Sequence, residues 1–139
     1  MSEVIKIANC SGFYGDNLSI AKKMVEGGPI DVLTGDYLAE LTMTILYNQK
    51  MKRGENLGYV GTFLKQFRDV AKLCNDQNIK IVSNAGGLNP ASMAAEVENI
   101  IKELNLDLKV AYIDGDDLMP RLDELSLSLI HISEPTRPS

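Results

Sequence analysis

A doubly wound parallel α/β sheet, Rossmann-like and incomplete, is the fold class that this sequence predicts, on three observations. Short runs rich in β-branched residues lie at 4–8, 30–34, 79–83 and 109–113. Between them, apolar residues recur at helical spacing. Each run leads directly into a loop crowded with Asn, Asp, Ser or Gly, the turn chemistry that carries a strand into a helix. Strands separated by helices run parallel, because each crossover returns the chain to the same edge, and crossover handedness favours helices on both faces.

The run 4–8 is the first strand. Leu18, Ala21, Met24 and Val25 then form a helical stripe that Gly27, Gly28 and Pro29 stop. Residues 30–33 give a second strand. Asp36 is suited to cap the next helix, with Leu38, Leu41 and Ile45 as its apolar stripe and the polar stretch 50–56 as its frayed end and a loop. Tyr59, Phe63, Phe67, Ala71 and Cys74 stripe a third helix. After the third strand at 79–83 comes a helix with Asn89 as cap, Pro90 at its first position and Met93, Val97, Ile100 and Leu104 towards the core. Residues 109–113 supply a fourth strand, and beyond Asp117 the periodicity is lost. The third and fourth helices are expected to be the most regular.

The chain has 139 residues, 45% hydrophobic and 24% charged, enough apolar surface for one globular domain with its own core. Its net charge of -5 argues against a nucleic-acid partner, since affinity for a phosphate backbone rests on clustered Lys and Arg. No apolar run approaches the length of a membrane span, and residues 1–8 lack the pattern of a signal peptide, so a cytoplasmic protein without a membrane partner is expected. Cys10 and Cys74 have no CxxC spacing and suggest neither a disulfide framework nor a zinc cluster.

Residues 127–137 read LSLIHISEPTR, which resembles one translated frame of the transposon-end adapter used to prepare DNA sequencing libraries. The expected division is therefore 1–126 as native sequence and 127–139 as a non-native tail. His131, the only histidine of the chain, falls in that tail and is set aside as a catalytic base. The native part is then expected to lack its own carboxyl-terminal partner segment, to leave surface uncovered, and to associate with other copies through it.

In open parallel sheets ligands bind outside the carboxyl ends of the strands, and the candidate site residues all follow a strand. Gly86 and Gly87, just before a helix opening at Asn89, suit backbone N–H approach to an anion, or else a tight strand-to-helix turn. Gly12 and Gly15, with Asp36 about twenty residues on, partly match a dinucleotide fingerprint, but Cys10 stands where its first glycine belongs. Asp16, Asp36, Asp114, Asp116 and Asp117 suit a hard cation or an acid and base pair, or else a helix cap and a solvated turn. Cys10 has no native histidine to activate it, which favours a buried small hydrophobe over a nucleophile. The catalytic candidates are Asp36 and Asp114. The ligand-binding candidates are Asn9, Ser11, Gly12, Tyr14, Gly15, Asp16, Asn84, Gly86, Gly87 and Asn89. The sequence identifies no cofactor and no metal-ligand set.

Four strings in this order, ANCSGFYGD at 8–16, VEGGPIDVLTGDYLAELTM at 25–43, IVSNAGGLNP at 81–90 and IDGDDL at 113–118, resemble the amino-terminal domain of acyclic terpene utilisation (AtuA-type) proteins. The resemblance covers about residues 4–118 of what in the family is a chain of several hundred residues. It implies a place in bacterial catabolism of geraniol- and citronellol-type terpenes, which runs through acyl-CoA intermediates. Two functions are then in view. One is an enzyme domain acting on a terpenoid acid or acyl-CoA, inactive as a fragment. The other is a non-catalytic ligand-binding or scaffold module of a terpene-catabolic complex. The partner expected in both is a small molecule, with acyl-CoA the first candidate.

Overall fold

The structure, a computed structural model, describes residues 4–125. Its elements run β1 (Ile7–Asn9), α1 (Ile20–Glu26), β2 (Val32–Gly35), α2 (Glu40–Arg53), α3 (Gly61–Asp76), β3 (Lys80–Ser83), α4 (Pro90–Glu103) and a short 3-10 turn (Met119–Arg121). The strands form one parallel sheet in the order β1-β2-β3, with Leu33 opposite Ala8 and Ile81. The fold is thus an incomplete, Rossmann-like α/β sheet flanked by helices, and of the two helical layers expected the described residues supply one.

Strand alternation sorts the sheet residues onto two faces. Ala8, Leu33 and Ile81 point to the helices. There Ala21 and Val25 of α1 and Val70 and Cys74 of α3 close over them in one buried cluster. A second cluster joins Tyr37, Leu46 of α2, Phe63, Phe67 and Ala71 of α3, and Val97, Ile100 and Ile101 of α4. The central position of α3 follows from its sequence: Phe63, Phe67, Val70, Ala71 and Cys74 recur at helical spacing, and all are buried. On the other face Ile7 is 65% and Val82 59% exposed, so the described residues cover only one side of the sheet.

Three expectations are corrected. Residues 109–113 form no strand: the described sheet has three, and Ile113 is 93% exposed. Leu106, Leu108 and Val110 do pack on the core at every second position, with exposed residues between them, so the period of two is real but no backbone ladder engages it. The buried positions of α2 are Thr42 and Leu46, while the expected stripe residue Leu41 is 73% exposed. Apolar residues occur around much of this helix, and periodicity alone selects the wrong face. Finally, Asp36 does not cap α2, which opens four residues later behind Ala39 with no side-chain cap. The third and fourth helices are long and regular as expected, and Asn89 does cap α4, its Oδ1 accepting from the Ser92 N–H at 3.2 Å.

Candidate functional site

The parallel sheet brings the ends of β1, β2 and β3 to one edge, and hydrogen bonds stitch the loops there. Cys10 N–H donates to Thr34 O (2.8 Å) and Asp36 N–H to Ser11 O (3.0 Å), which carries the β1 pairing into the loops. Across to β3, Tyr37 N–H donates to Asn84 Oδ1 (2.9 Å) and Asn84 Nδ2 donates to Asp36 Oδ1 (2.6 Å). Leu38 N–H also donates to Asp36 Oδ1, at 3.3 Å, closing a turn on the carboxylate. The Asp36 side chain is therefore held at the middle of the edge, in an exposed residue.

Beneath it lies a buried polar chain that sequence reading missed. Tyr37 is almost wholly buried, and its hydroxyl donates to Gln66 Oε1 at 2.5 Å. A phenol has one proton, so at 4.0 Å the Cys10 thiol is the donor to the Tyr37 oxygen. Burial pushes the Tyr37 phenol and the Cys10 thiol up from their ordinary ionisation range. Burial also pushes Cys74 up to about 11. Both thiols are free, buried and held protonated at neutral pH, which makes them packing groups and not nucleophiles. Gln66 had no signal beyond its place on the inner face of α3; its polar type suggested solvent.

The loop after β1 is built around Asp16, whose carboxylate accepts from Gly12 N–H (3.1 Å) and Asn17 N–H (2.7 Å). Ser11 is buried and donates to Phe13 O at 3.1 Å, and Tyr14 packs on the main core cluster. Asn9 is exposed, with Thr34 Oγ1 3.4 Å from its Oδ1. Gly12 and Gly15 face open space, and Gly15 has φ +90.

The loop after β3 is different. A Cβ at Gly87 would stand 2.5 Å from Leu46 Cδ1 and 2.9 Å from Gly58 O, and one at Gly86 would stand 2.8 Å from Pro90 Cβ. Several N–H groups here are already engaged: Gly87 with Asn84 O (3.1 Å), Leu88 with Gly58 O (2.8 Å) and Asn89 with Gly86 O (2.9 Å). Asn89, besides capping α4, donates through Nδ2 to Glu55 O and Leu57 O. The Lys50 stem lies over Gly58 and its Nζ is 3.5 Å from Leu88 O, so the lysine read as part of a frayed helix end belongs to this junction.

Asp114, Gly115, Asp116 and Asp117 face the start of α4 across a cleft of about 220 Å³, with Gly87, Asn89, Pro90 and Met43 also lining it. Carboxylates near a helix N-terminus are favourably placed for its dipole. The structure thus brings Asp36 and Asn84 together and sets Gly87 and Asn89 against residues 114–117 across one cleft, while Asn9 lies beside Thr34 on the exposed side of β1 and Ser11 is buried beneath the loop. Among the described residues, no group of three or more His, Cys, Asp or Glu side chains is arranged to hold a metal ion. Among them, too, no helix is long and apolar enough to cross a membrane.

Comparison with curated proteins and with solved structures finds no match. The family model described as acyclic terpene utilisation family protein AtuA matches residues 5–136. That span includes the four motif strings, every candidate site residue and part of the segment read above as adapter-derived, which lies outside the described residues. With nearly the whole chain matched, the protein belongs to the acyclic terpene utilisation family, AtuA.

Proposed function

We propose that this chain supplies part of the ligand pocket of an enzyme of acyclic terpene catabolism, acting on a terpenoid acid or its CoA thioester. The observation that carries this is the arrangement at the carboxyl edge, where an exposed Asp36 carboxylate is fixed by Asn84 and Leu38, with an open glycine loop on one side and the Asp114–Asp117 cleft on the other. Family membership supports a role in acyclic terpene utilisation, and the acid or thioester is the substrate class we propose within it. In this reading Gly12 and Gly15 leave room for the ligand beside the loop, Asp36 and Asp114 are the groups that accept or pass protons, and exposed Asn9 borders the near side, with buried Ser11 supporting the loop from beneath. Terpenoid acyl chains need apolar lining, and Met43 and Leu88 present it in the cleft.

A second reading, a binding or scaffold module without chemistry, draws on the state of Cys10 and Tyr37. The two protonatable groups directly beneath the edge are buried and held neutral, which suits recognition better than proton transfer. Thermal-shift titration of the full chain with CoA, an acyclic C10 terpenoid acid, its CoA thioester, nucleotides and divalent ions tests both. Stabilisation by the acid or thioester supports the pocket, and a saturating ligand at about a hundred times its Kd adds roughly 2.7 kcal/mol. Turnover of the thioester separates enzyme from module. A response to nucleotides or cations alone would overturn the terpenoid assignment.

A further inference from the structure

We propose that Asn84 is a positioning residue, which takes its orientation from the core through Tyr37 and holds the Asp36 carboxylate so that Oδ2 is offered to the ligand. This deepens the functional reading above and rests on it for the ligand's identity.

A chain of contacts runs from the core to the edge. The Tyr37 ring lies over Gly35, where a Cβ would stand 2.6 Å from the ring, and meets Phe63 edge-on at 5.9 Å. Its hydroxyl is tied to Gln66 on α3. With the ring anchored, the Tyr37 N–H has a fixed direction. A backbone N–H can only donate, so the atom of Asn84 facing it must be the oxygen. That choice turns the amide NH2 towards Asp36, where the 2.6 Å contact to Oδ1 is a charge-assisted bond. Among the described residues, the hydrogen bonds to the Asp36 side chain fall on Oδ1. Oδ2 retains its acceptor capacity on an exposed residue at the ligand edge. Asn84 commits its oxygen and one amide proton inside the protein, and its proposed role is exerted through Asp36.

Amide hydrogen exchange on the full chain tests the positioning role without any ligand. In Asn84→Ala the Leu38 amide, which Asn84 does not touch, should exchange roughly tenfold faster together with Tyr37. The Val60 amide, bonded to Ala85 O in the same loop, should keep its protection. In Asn84→Asp the oxygen facing Tyr37 survives but the donor to Asp36 is lost, so Tyr37 should stay protected while Leu38 is released. Unchanged Leu38 protection in Asn84→Asp, where the loop remains folded, would overturn the proposal. Binding of an acyclic C10 terpenoyl-CoA then tests the role of Oδ2: the affinity losses of Asn84→Ala and Asp36→Ala should be non-additive, the double variant losing no more than Asp36→Ala alone. Additive losses would overturn it. If the unaltered chain binds no thioester, the functional reading fails, and the exchange experiment still decides the role of Asn84.

Discussion

Gly12 and Gly15 in the loop after β1, and Gly86 and Gly87 in the loop after β3, sit at the same edge of the sheet in unlike surroundings. A Cβ at either of the first two would meet nothing within 4 Å, whereas one at Gly86 or Gly87 would run into Pro90, Leu46 or Gly58. Gly87 passes close under Leu46 of α2 and the Gly58 carbonyl, and Gly86 lies against Pro90 at the start of α4; at the first pair no close packing excludes a side chain. As sequence, Gly86-Gly87 before a capped helix was the stronger anion-site motif. In the structure N–H groups of both loops are engaged, Gly87, Leu88 and Asn89 within the junction and Gly12 with Asp16 Oδ2, and what sets Gly12 and Gly15 apart is the open space beside them. A glycine-rich loop is informative about ligands only once packing has been accounted for.

The largest effect should come from breaking the packed loop. Gly87→Ala places a side chain against Leu46 and a carbonyl at φ +53, and we expect a loss of about 2–4 kcal/mol in a denaturant melt. A loss under about 0.5 kcal/mol would show that the junction is loose. Such a variant cannot test ligand approach, because it is a folding lesion first.

A smaller loss is expected from the polar chain beneath the edge. Tyr37→Phe keeps the ring but leaves buried Gln66 without its donor, and should cost about 1–3 kcal/mol. Alkaline titration probes the same region. A thiol that ionises near 9 when unfolded, but in the fold only near 11 for Cys74, contributes its full share of stability below pH 9. Above that the unfolded chain holds fewer protons than the native one, so stability falls as pH rises towards 11. Melting temperature should therefore drop over this window, and less steeply in Cys74→Ala. An identical slope in that variant would count against the burial assigned to the thiol.

The smallest effect on stability, and the sharpest contrast, is Gly12→Ala. With no neighbour to strike and no positive φ, it should change stability by less than about 0.5 kcal/mol while weakening terpenoid or acyl-CoA binding by occupying the approach. Unchanged affinity would move the ligand away from this loop.

Much of this was legible because it is local. α3 was readable from Phe63, Phe67, Ala71 and Cys74, and α4 from its Asn89 cap and Pro90. Apart from the face of α2, where apolar residues lie around much of the helix, the failures are non-local. After α3 and after α4 the chain uses the same device, an asparagine at positive φ, Asn78 and Asn105, with the following N–H returning to the helix, Ile79 to Cys74 O and Leu106 to Ile101 O. Both turns release alternating apolar residues. Only the first finds a strand to pair with, and nothing within residues 109–113 distinguishes them. The same holds at Asp36, a good cap by type, which is drawn instead to Asn84, 48 residues away. Collecting the loops on one edge followed from parallel topology, but which side chains act there and which are spent on structure depends on contacts across the sheet.

The central claim is that the carboxyl edge is the ligand site, and backbone amide NMR of the full chain titrated with an acyclic C10 terpenoyl-CoA tests it most directly. The account predicts shift changes concentrated at Gly12, Gly15, Asp36, Leu38 and residues 114–117, with the exposed sheet face at Ile7 and Val82 silent. Changes centred on Ile7, Val82 and their face, with the edge silent, would contradict it.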